Sequence, residues 1–247
     1  MIKDVKFSTL VVKVVIIYFF ISCQNNHQCF HSRGDETREI RRLEPFNHIK
    51  INNLFNVFWH YDSSYKVEIV SGKNLLPYIE TRIQNNYLTI TDNNRCNWLR
   101  KYKRTEIHIY CPTITSLEIW GSGDYCFKDT LFSDSLLINN WADIINITLN
   151  VSCRWFAYSQ NAGTGDTYIN GKAGISYLWI SGMGYLNAKN FICQYNYVTN
   201  KSTGDCYVYA RKEAGINIYK SGNVYLYGNP DSIRKNIVGI GKLYIMP

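Results

Sequence analysis

Gly121-Ser-Gly-Asp124, Gly163-Thr-Gly-Asp166, Gly182-Met-Gly-Tyr185, Ser202-Thr-Gly-Asp205, Lys220-Ser-Gly-Asn223 and Gly239-Ile-Gly-Lys242 are versions of one short signature. Aligned on the third residue, they give the anchors Gly123, Gly165, Gly184, Gly204, Gly222 and Gly241, at steps of 42, 19, 20, 18 and 19 residues. The double step holds a degenerate copy, Asn140-Trp-Ala-Asp143, with Ala142 in the anchor place. A fixed period of about 20 residues marks a solenoid or array rather than an ordinary globular fold.

The flanks of each anchor define the repeat. Four places before it lie Ile119, Ile138, Ile180, Ile218 and Ile237. Two and four places after it lie Tyr125 and Phe127, Thr167 and Ile169, Leu186 and Ala188, Cys206 and Val208, Val224 and Leu226, Leu243 and Ile245. Alternation with period two on both sides of a glycine makes each unit strand, bend, strand. Units this short bury no face alone, so each must cover the next. The expected fold is all-β: a right-handed parallel β-helix, a β-solenoid of about 20-residue coils with an irregular N-terminal β cap.

Those corners, the Ala214-Gly-Ile-Asn217 run and the closing Val224-Tyr-Leu-Tyr-Gly-Asn-Pro230 resemble the bacterial auto-transporter adhesin family with a head GIN domain. Upstream, Arg42-x-x-x-Pro-Phe46-x-x-Ile49, Val67-Glu-Ile-Val70 and Leu88-Thr-Ile90 resemble the same family. The resemblance covers roughly residues 40 to 245 and implies a β-helix-like fold in an exported bacterial lipoprotein. It implies no established activity. After Met246 no barrel-like segment follows, so no translocator of the chain's own is expected.

The first 22 residues read as a secretory signal: Lys3 and Lys6 precede an apolar run from Phe7 to Ile21, interrupted by Lys13. It ends Phe20-Ile-Ser-Cys23, which resembles a lipobox whose cysteine takes lipid. An ordinary signal or an uncleaved anchor is the alternative. Each methylene of an acyl chain buried in the bilayer contributes about 0.8 kcal/mol, so a multiply acylated Cys23 would hold firmly. Residues 23–41 then form a polar tether, and 42–247 one domain, with N-terminal coils and cap at 42–112 and regular repeats at 113–247.

The 247-residue chain carries a formal charge of +8, and 15% of its residues are aromatic, 20 of them Tyr. The positive charges cluster at Arg33–Arg42 and Arg95–Arg104, outside the repeat. With an export signal, that reads as a solvated basic face and not as a nucleic-acid site. Of eight Cys, seven remain once Cys23 is lipidated, without zinc-type spacing. By strand phase Cys206 points inward; one or two disulfides stay open.

Asp124, Asp143, Asp166 and Asp205 raise the question of chemistry, because polysaccharide-cleaving enzymes use paired carboxylates. Corners favour Asp for turn hydrogen bonds alone, however, and Tyr185, Asn223 and Lys242 take the same place elsewhere. No catalytic residue, metal or cofactor is therefore expected. The more suggestive surface is aromatic. Three places after the anchor, in the outward phase, come Cys126, Ile145, Tyr168, Asn187, Tyr207, Tyr225 and Tyr244, with Tyr177, Trp179, Tyr209, Tyr219 and Tyr227 at other outward positions. The ladder is expected to break at Asn187, which favours Tyr207–Tyr244. Trp98, within the basic loop, is a further candidate for an anionic sugar.

The sequence thus predicts a non-enzymatic lipoprotein of the bacterial outer membrane, periplasmic or surface-exposed, acting in binding or adhesion. Its expected partners are the membrane, through Cys23, and a glycan or another host or envelope surface component, through Tyr168, Tyr207, Tyr225, Tyr244 and Trp98. A polysaccharide-active enzyme using the corner Asp residues and a purely structural envelope protein are the alternatives.

Overall fold

The structure is a computed structural model describing residues 32–95 and 103–247. Among these, strands dominate, and they stack as parallel coils into a β-solenoid of about 6 turns. The regular part is built from β8 (Ser116–Ile119), β9 (Gly123–Asn140), β10 (Ile145–Gln160), β11 (Asp166–Gly182), β12 (Tyr185–Ser202) and β13 (Cys206–Ile218). It closes with β14 (Val224–Tyr227), β15 (Ser232–Ile237) and β16 (Leu243–Ile245). Each long strand bends midway, so every coil has a first arm after the glycine corner and a second arm leading to the next one.

Alternation does what the sequence says it should. Tyr125, Phe127, Thr167, Ile169, Leu186, Ala188, Cys206, Val208, Val224 and Leu226 are buried on the first arms. Second arms add Leu136, Ile138, Phe156, Tyr158, Leu178, Ile180, Val198, Ile216 and Ile218. The buried Tyr125 hydroxyl donates to the Gly121 carbonyl at 3.2 Å, and the Tyr158 hydroxyl shares a hydrogen bond with Thr167 Oγ1 at 2.8 Å, so neither phenol is stranded in the core.

The anchors form one column, but Ala142 is not in it. Pairing sets Gly123 against Ile145, and the bridge between Ile144 and Thr164 carries that register on to Gly165. Corners 140–145 and 160–165 are one residue longer than the others, so the anchor falls on Ile145, which is buried and not outward. Likewise Ile138 stacks on Leu117, and the partner of Ile119 is Asn140. The expected isoleucine column therefore runs Ile119, Asn140, Gln160, Ile180, Asn200, Ile218 and Ile237. Its buried amides serve the corners. Asn140 accepts from Ala142 N–H at 2.9 Å. Asn200 accepts from Ser202 N–H at 2.9 Å and donates to the Gly204 and Gly222 carbonyls at 3.2 and 3.1 Å.

Two anchors show why glycine is needed. Gly165 has φ +124°, which L side chains rarely adopt, and a Cβ there would lie 1.7 Å from the Ile145 carbonyl oxygen. Gly204 has no unusual φ; its Cβ would lie 2.1 Å from the Gly184 carbonyl oxygen in the preceding coil. The column is thus a column of close approaches, and only some members also need glycine's backbone freedom.

The N-terminal part departs from sequence order. β2 (His48–Ile51) and β3 (Asn56–Tyr61) are the two arms of one coil, stacked on β8 and β9. On their other side lie β6 (Tyr87–Asp92) and β7 (Glu106–Cys111), parallel to β2 and β3. The chain thus lays down its second coil in space first, leaves for the 54 residues between Tyr61 and Ser116, within which it adds the outer coil, and returns. β4 (Lys66–Gly72) runs antiparallel beside β7, β1 (Glu36–Arg42) antiparallel beside β4, and β5 (Ile79–Gln84) antiparallel beside β6. These antiparallel strands cover the N-terminal end, the role a solenoid cap must fill. β1 also begins within the segment read as tether. A short 3-10 turn, Leu76–Tyr78, lies between β4 and β5.

Candidate functional site

The corner carboxylates are spoken for. Asp124 accepts from Asn146 Nδ2 at 2.8 Å and from Arg104 at 3.4 Å. Asn146 Oδ1 accepts from Asp166 N–H at 3.3 Å in the next coil. Asp205 accepts from Asn223 N–H at 2.8 Å, and Asn223 Oδ1 from Lys242 N–H at 3.0 Å. Acid and amide side chains thus clip coil to coil, where the sequence suggested bonds within one turn. Asp143 is outside this column: Asn146 holds its place, and Asp143 contributes its carbonyl to Thr164 N–H at 2.7 Å. Among the described residues no group of three His, Cys, Asp or Glu could hold a metal ion.

The outward column three places past the anchor begins Phe58, Cys126, Thr148 and Tyr168, with Thr148 where Ile145 was expected. It continues Asn187, Tyr207, Tyr225 and Tyr244. Tyr207 and Tyr225 stack at 4.5 Å and 9°, and Tyr225 and Tyr244 at 5.0 Å and 15°. The break expected at Asn187 is filled. Tyr185, two residues earlier on the same outward side, lies 6.3 Å from the Tyr168 ring and 5.3 Å from the Tyr207 ring. Five rings therefore form one continuous strip.

Ring orientation divides the strip. In the C-terminal half the rings are nearly parallel and cover one another, so hydroxyls and edges face outward. Around Tyr185 the planes tilt by 51° and 46°, which leaves ring faces partly open. Burial first, then the neighbouring Tyr207 and Tyr168, pushes Tyr185 up to about 12, and burial with Asp205 pushes Tyr225 upward. Beside the stacked half lies a hollow of about 530 Å³ lined by Lys189, Asn190, Tyr209, Tyr227 and Gly228. The glycine is required there, since Gly228 has φ +94° and a Cβ on it would lie 2.3 Å from the Ala210 carbonyl oxygen.

On the N-terminal coils, His60 Nε2 and His108 Nδ1 are 3.0 Å apart and share one hydrogen bond. Burial, then His108, lowers the His60 pKa. The five described cysteines, Cys111, Cys126, Cys153, Cys193 and Cys206, are free. Cys206 is buried, as its phase required. Trp98, Cys23, Cys29 and Cys96 lie outside the described residues.

Several solved structures share this fold. One, from Bacteroides fragilis NCTC 9343 and described as a "putative adhesin", matches with TM-score 0.80 at 20% identity, covering 86% of this chain and 97% of that one. A second, from Parabacteroides distasonis ATCC 8503 and described as a "Putative lipid binding protein", has TM-score 0.66 at 17% identity, covering 86% and 98%. A third "putative adhesin", from Parabacteroides merdae ATCC 43184, has TM-score 0.64 at 16% identity, covering 87% and 99%. At such identities the likeness shows a shared fold. No curated protein matches the chain. Residues 45–230 match the family "Putative auto-transporter adhesin, head GIN domain", a stretch that carries all but the last corner, β4 and β5 of the cap and most of the tyrosine strip. The chain belongs to that head GIN domain family.

Proposed function

We propose that this protein is a non-enzymatic binding module of the bacterial cell envelope. It is held to the outer membrane through acylated Cys23 and takes glycan along the strip from Tyr168 to Tyr244. The observation that carries this reading is the continuity of the strip: five outward rings on successive coils, with a hollow alongside. A flat, rigid, amphipathic row loses little conformational entropy on binding and offers hydroxyls at the coil spacing of about 4.8 Å. The open faces near Tyr185 suit the apolar side of a sugar ring. The stacked hydroxyls of Tyr207, Tyr225 and Tyr244 suit its polar rim.

The enzymatic alternative is weaker, because Asp124 and Asp205 already accept cross-coil hydrogen bonds and Asp143 is out of register with them. The anchor proposed is the lipid on Cys23, because Ser22-Cys23 ends the signal-like apolar run. The test is a glycan and matrix-protein array probed with wild type and with the Tyr207→Ser/Tyr225→Ser variant. Binding by wild type that the variant loses supports the reading. A blank array with wild type would favour a structural role for the ladder.

A further inference from the structure

The second arms carry a separate set of aromatics, and these are arranged differently. Tyr177 stacks on Tyr197 at 5.2 Å and 23°, and Lys201 Nζ sits 4.4 Å from the Trp179 ring centre and 5.0 Å from that of Tyr219. Tyr197 and Lys201 both belong to the following coil. Tyr177 and Trp179 are therefore backed on that side. On the preceding coil their register partners are Ala157 and Ser159. No ring in those two columns covers their other faces. Trp155 closes only one flank, tilted 43° to Tyr177 at 6.0 Å.

The two small residues leave a hollow of about 180 Å³ between Leu137 and the Tyr177–Trp179 pair. Tyr177 is 45% exposed and Trp179 40%. No charged side chain lines it. Along one edge runs a hydrogen-bonded polar row: Ser159 Oγ donates to Asn139 Oδ1 at 2.7 Å and accepts from Asn161 Nδ2 at 3.2 Å. The site thus has two rigid aromatic walls, a shallow apolar floor and one edge of hydroxyls and amides.

We infer that this hollow is a saccharide subsite for one uncharged pyranose of a glycan. A pyranose has an apolar C–H face and a rim of hydroxyls, which matches walls and edge in one orientation. A purely apolar chain would leave the Ser159–Asn161 row unused. The volume is below the 300–1,000 Å³ of drug-sized sites, which limits the occupant to about one ring. The contrast with the tyrosine strip is physical: Tyr207, Tyr225 and Tyr244 spend their faces on each other, whereas Tyr177 and Trp179 each keep one free. The inference rests on the reading of the chain as a glycan-binding module and adds a second subsite on the other arm.

The decisive variant is Ala157→Tyr. Its register places the new ring against the free face of Tyr177, extending the existing stack while filling the hollow. The full chain in detergent is titrated with four neutral oligosaccharides (cellohexaose, maltohexaose, mannohexaose and chitohexaose), read by tryptophan fluorescence. At least one should shift the emission of wild type. Ala157→Tyr should weaken that binding at least tenfold with a Tm equal to or above wild type. Trp179→Ala should weaken it similarly and serves if Ala157→Tyr does not fold. Ile240→Ser, at an exposed side chain outside both aromatic sets, should keep the response, and Tyr207→Ser/Tyr225→Ser is run beside it to separate subsite from strip. No response to any of the four, or unchanged affinity in the folded Ala157→Tyr variant, overturns the subsite. A response lost only in the tyrosine double variant overturns it too, while leaving the strip reading intact.

Discussion

Replacing Gly204 by Ala adds one methyl group and little else, which makes it a clean probe of how the coils are held apart. The new Cβ would sit 2.1 Å from the Gly184 carbonyl oxygen, 2.8 Å from its carbon and 3.3 Å from the Met183 oxygen. Ordinary contact begins near 3.4 Å. The clash is with backbone, which has no rotamer to move into, so two adjacent coils must separate locally by more than an ångström. That separation would strain the bonds from Asn200 to the Gly204 and Gly222 carbonyls and from Gly204 N–H to Ser202 Oγ. Overpacking of this kind costs about 1–3 kcal/mol. In a chain of this size each kcal/mol lowers Tm by about 2–4 °C, so the expected drop is roughly 2–12 °C. Gly165→Ala should fall further, by about another 1–2 kcal/mol, since its φ of +124° adds backbone strain to a 1.7 Å clash. Thermal melts by circular dichroism on both variants give the comparison. A Gly204→Ala protein melting within a degree of wild type would refute the close-approach account. Equal losses at the two sites would refute the separation of contact from strain.

Other expectations are as specific. Asn200→Ala leaves Ser202 N–H and two glycine carbonyls without their side-chain partner and should cost about 2–4 kcal/mol by chemical denaturation; a loss below 0.5 would mean that water replaces the amide at no expense. Because the His60 pKa is lowered in the fold, its stabilising contribution is present above the ordinary value of 6.5 and is lost as pH falls below it. Tm should therefore drop between pH 6.5 and 5, and His60→Gln should flatten that part of the profile; a parallel drop in the variant contradicts it. Tyr185 is held near 12 against an ordinary 10, so its contribution is intact below pH 10 and is lost as pH rises toward 12. Absorbance at 295 nm should show a group of late phenols, the buried Tyr125 and Tyr158 among them, that loses one member in Tyr185→Phe. Burial pushes Cys111 and Cys193 up to about 12, so both should resist a thiol reagent at pH 8 until the protein is unfolded.

Much of the architecture is legible because glycine spacing and strand alternation are enforced by sterics at every coil. Gly165, Gly184, Gly204, Gly222 and Gly241 stack as read, and the residues two places beyond them point inward. The misreading at Ala142 arose where the period itself changes. Two corners gained one residue, and Ile145, a buried anchor with a side chain, left no glycine to align. The buried amides were missed for a related reason. A column scanned for isoleucine shows its exceptions only as gaps, although Asn200 stands four places before Gly204 as the pattern requires. Which coil stacks on which is not written in any local pattern, so the return of β6 and β7 to the outer side of β2 and β3 could not be seen. The outward surface was half legible. Strand phase placed Tyr168, Tyr207, Tyr225 and Tyr244, but Tyr185 occupies the corner position that elsewhere holds Asp or Asn, and only the fold brings its ring into the strip. The second-arm hollow is defined by what Ala157 and Ser159 lack, and an absence of bulk acquires meaning only between neighbours on adjacent coils.

The account stands most directly on whether the strip is a binding surface. Removing Tyr207 and Tyr225 abolishes three ring contacts worth about 0.5–1.5 kcal/mol each, so the double Ser variant should melt somewhat lower yet stay folded. Array binding of wild type and of this variant, compared side by side at a temperature where both are native, is the measurement. The expected result is a defined set of glycans bound by wild type and lost, by tenfold or more, in the variant. The same set bound at undiminished strength by the folded variant would contradict the claim that the tyrosine strip is where this protein takes its ligand.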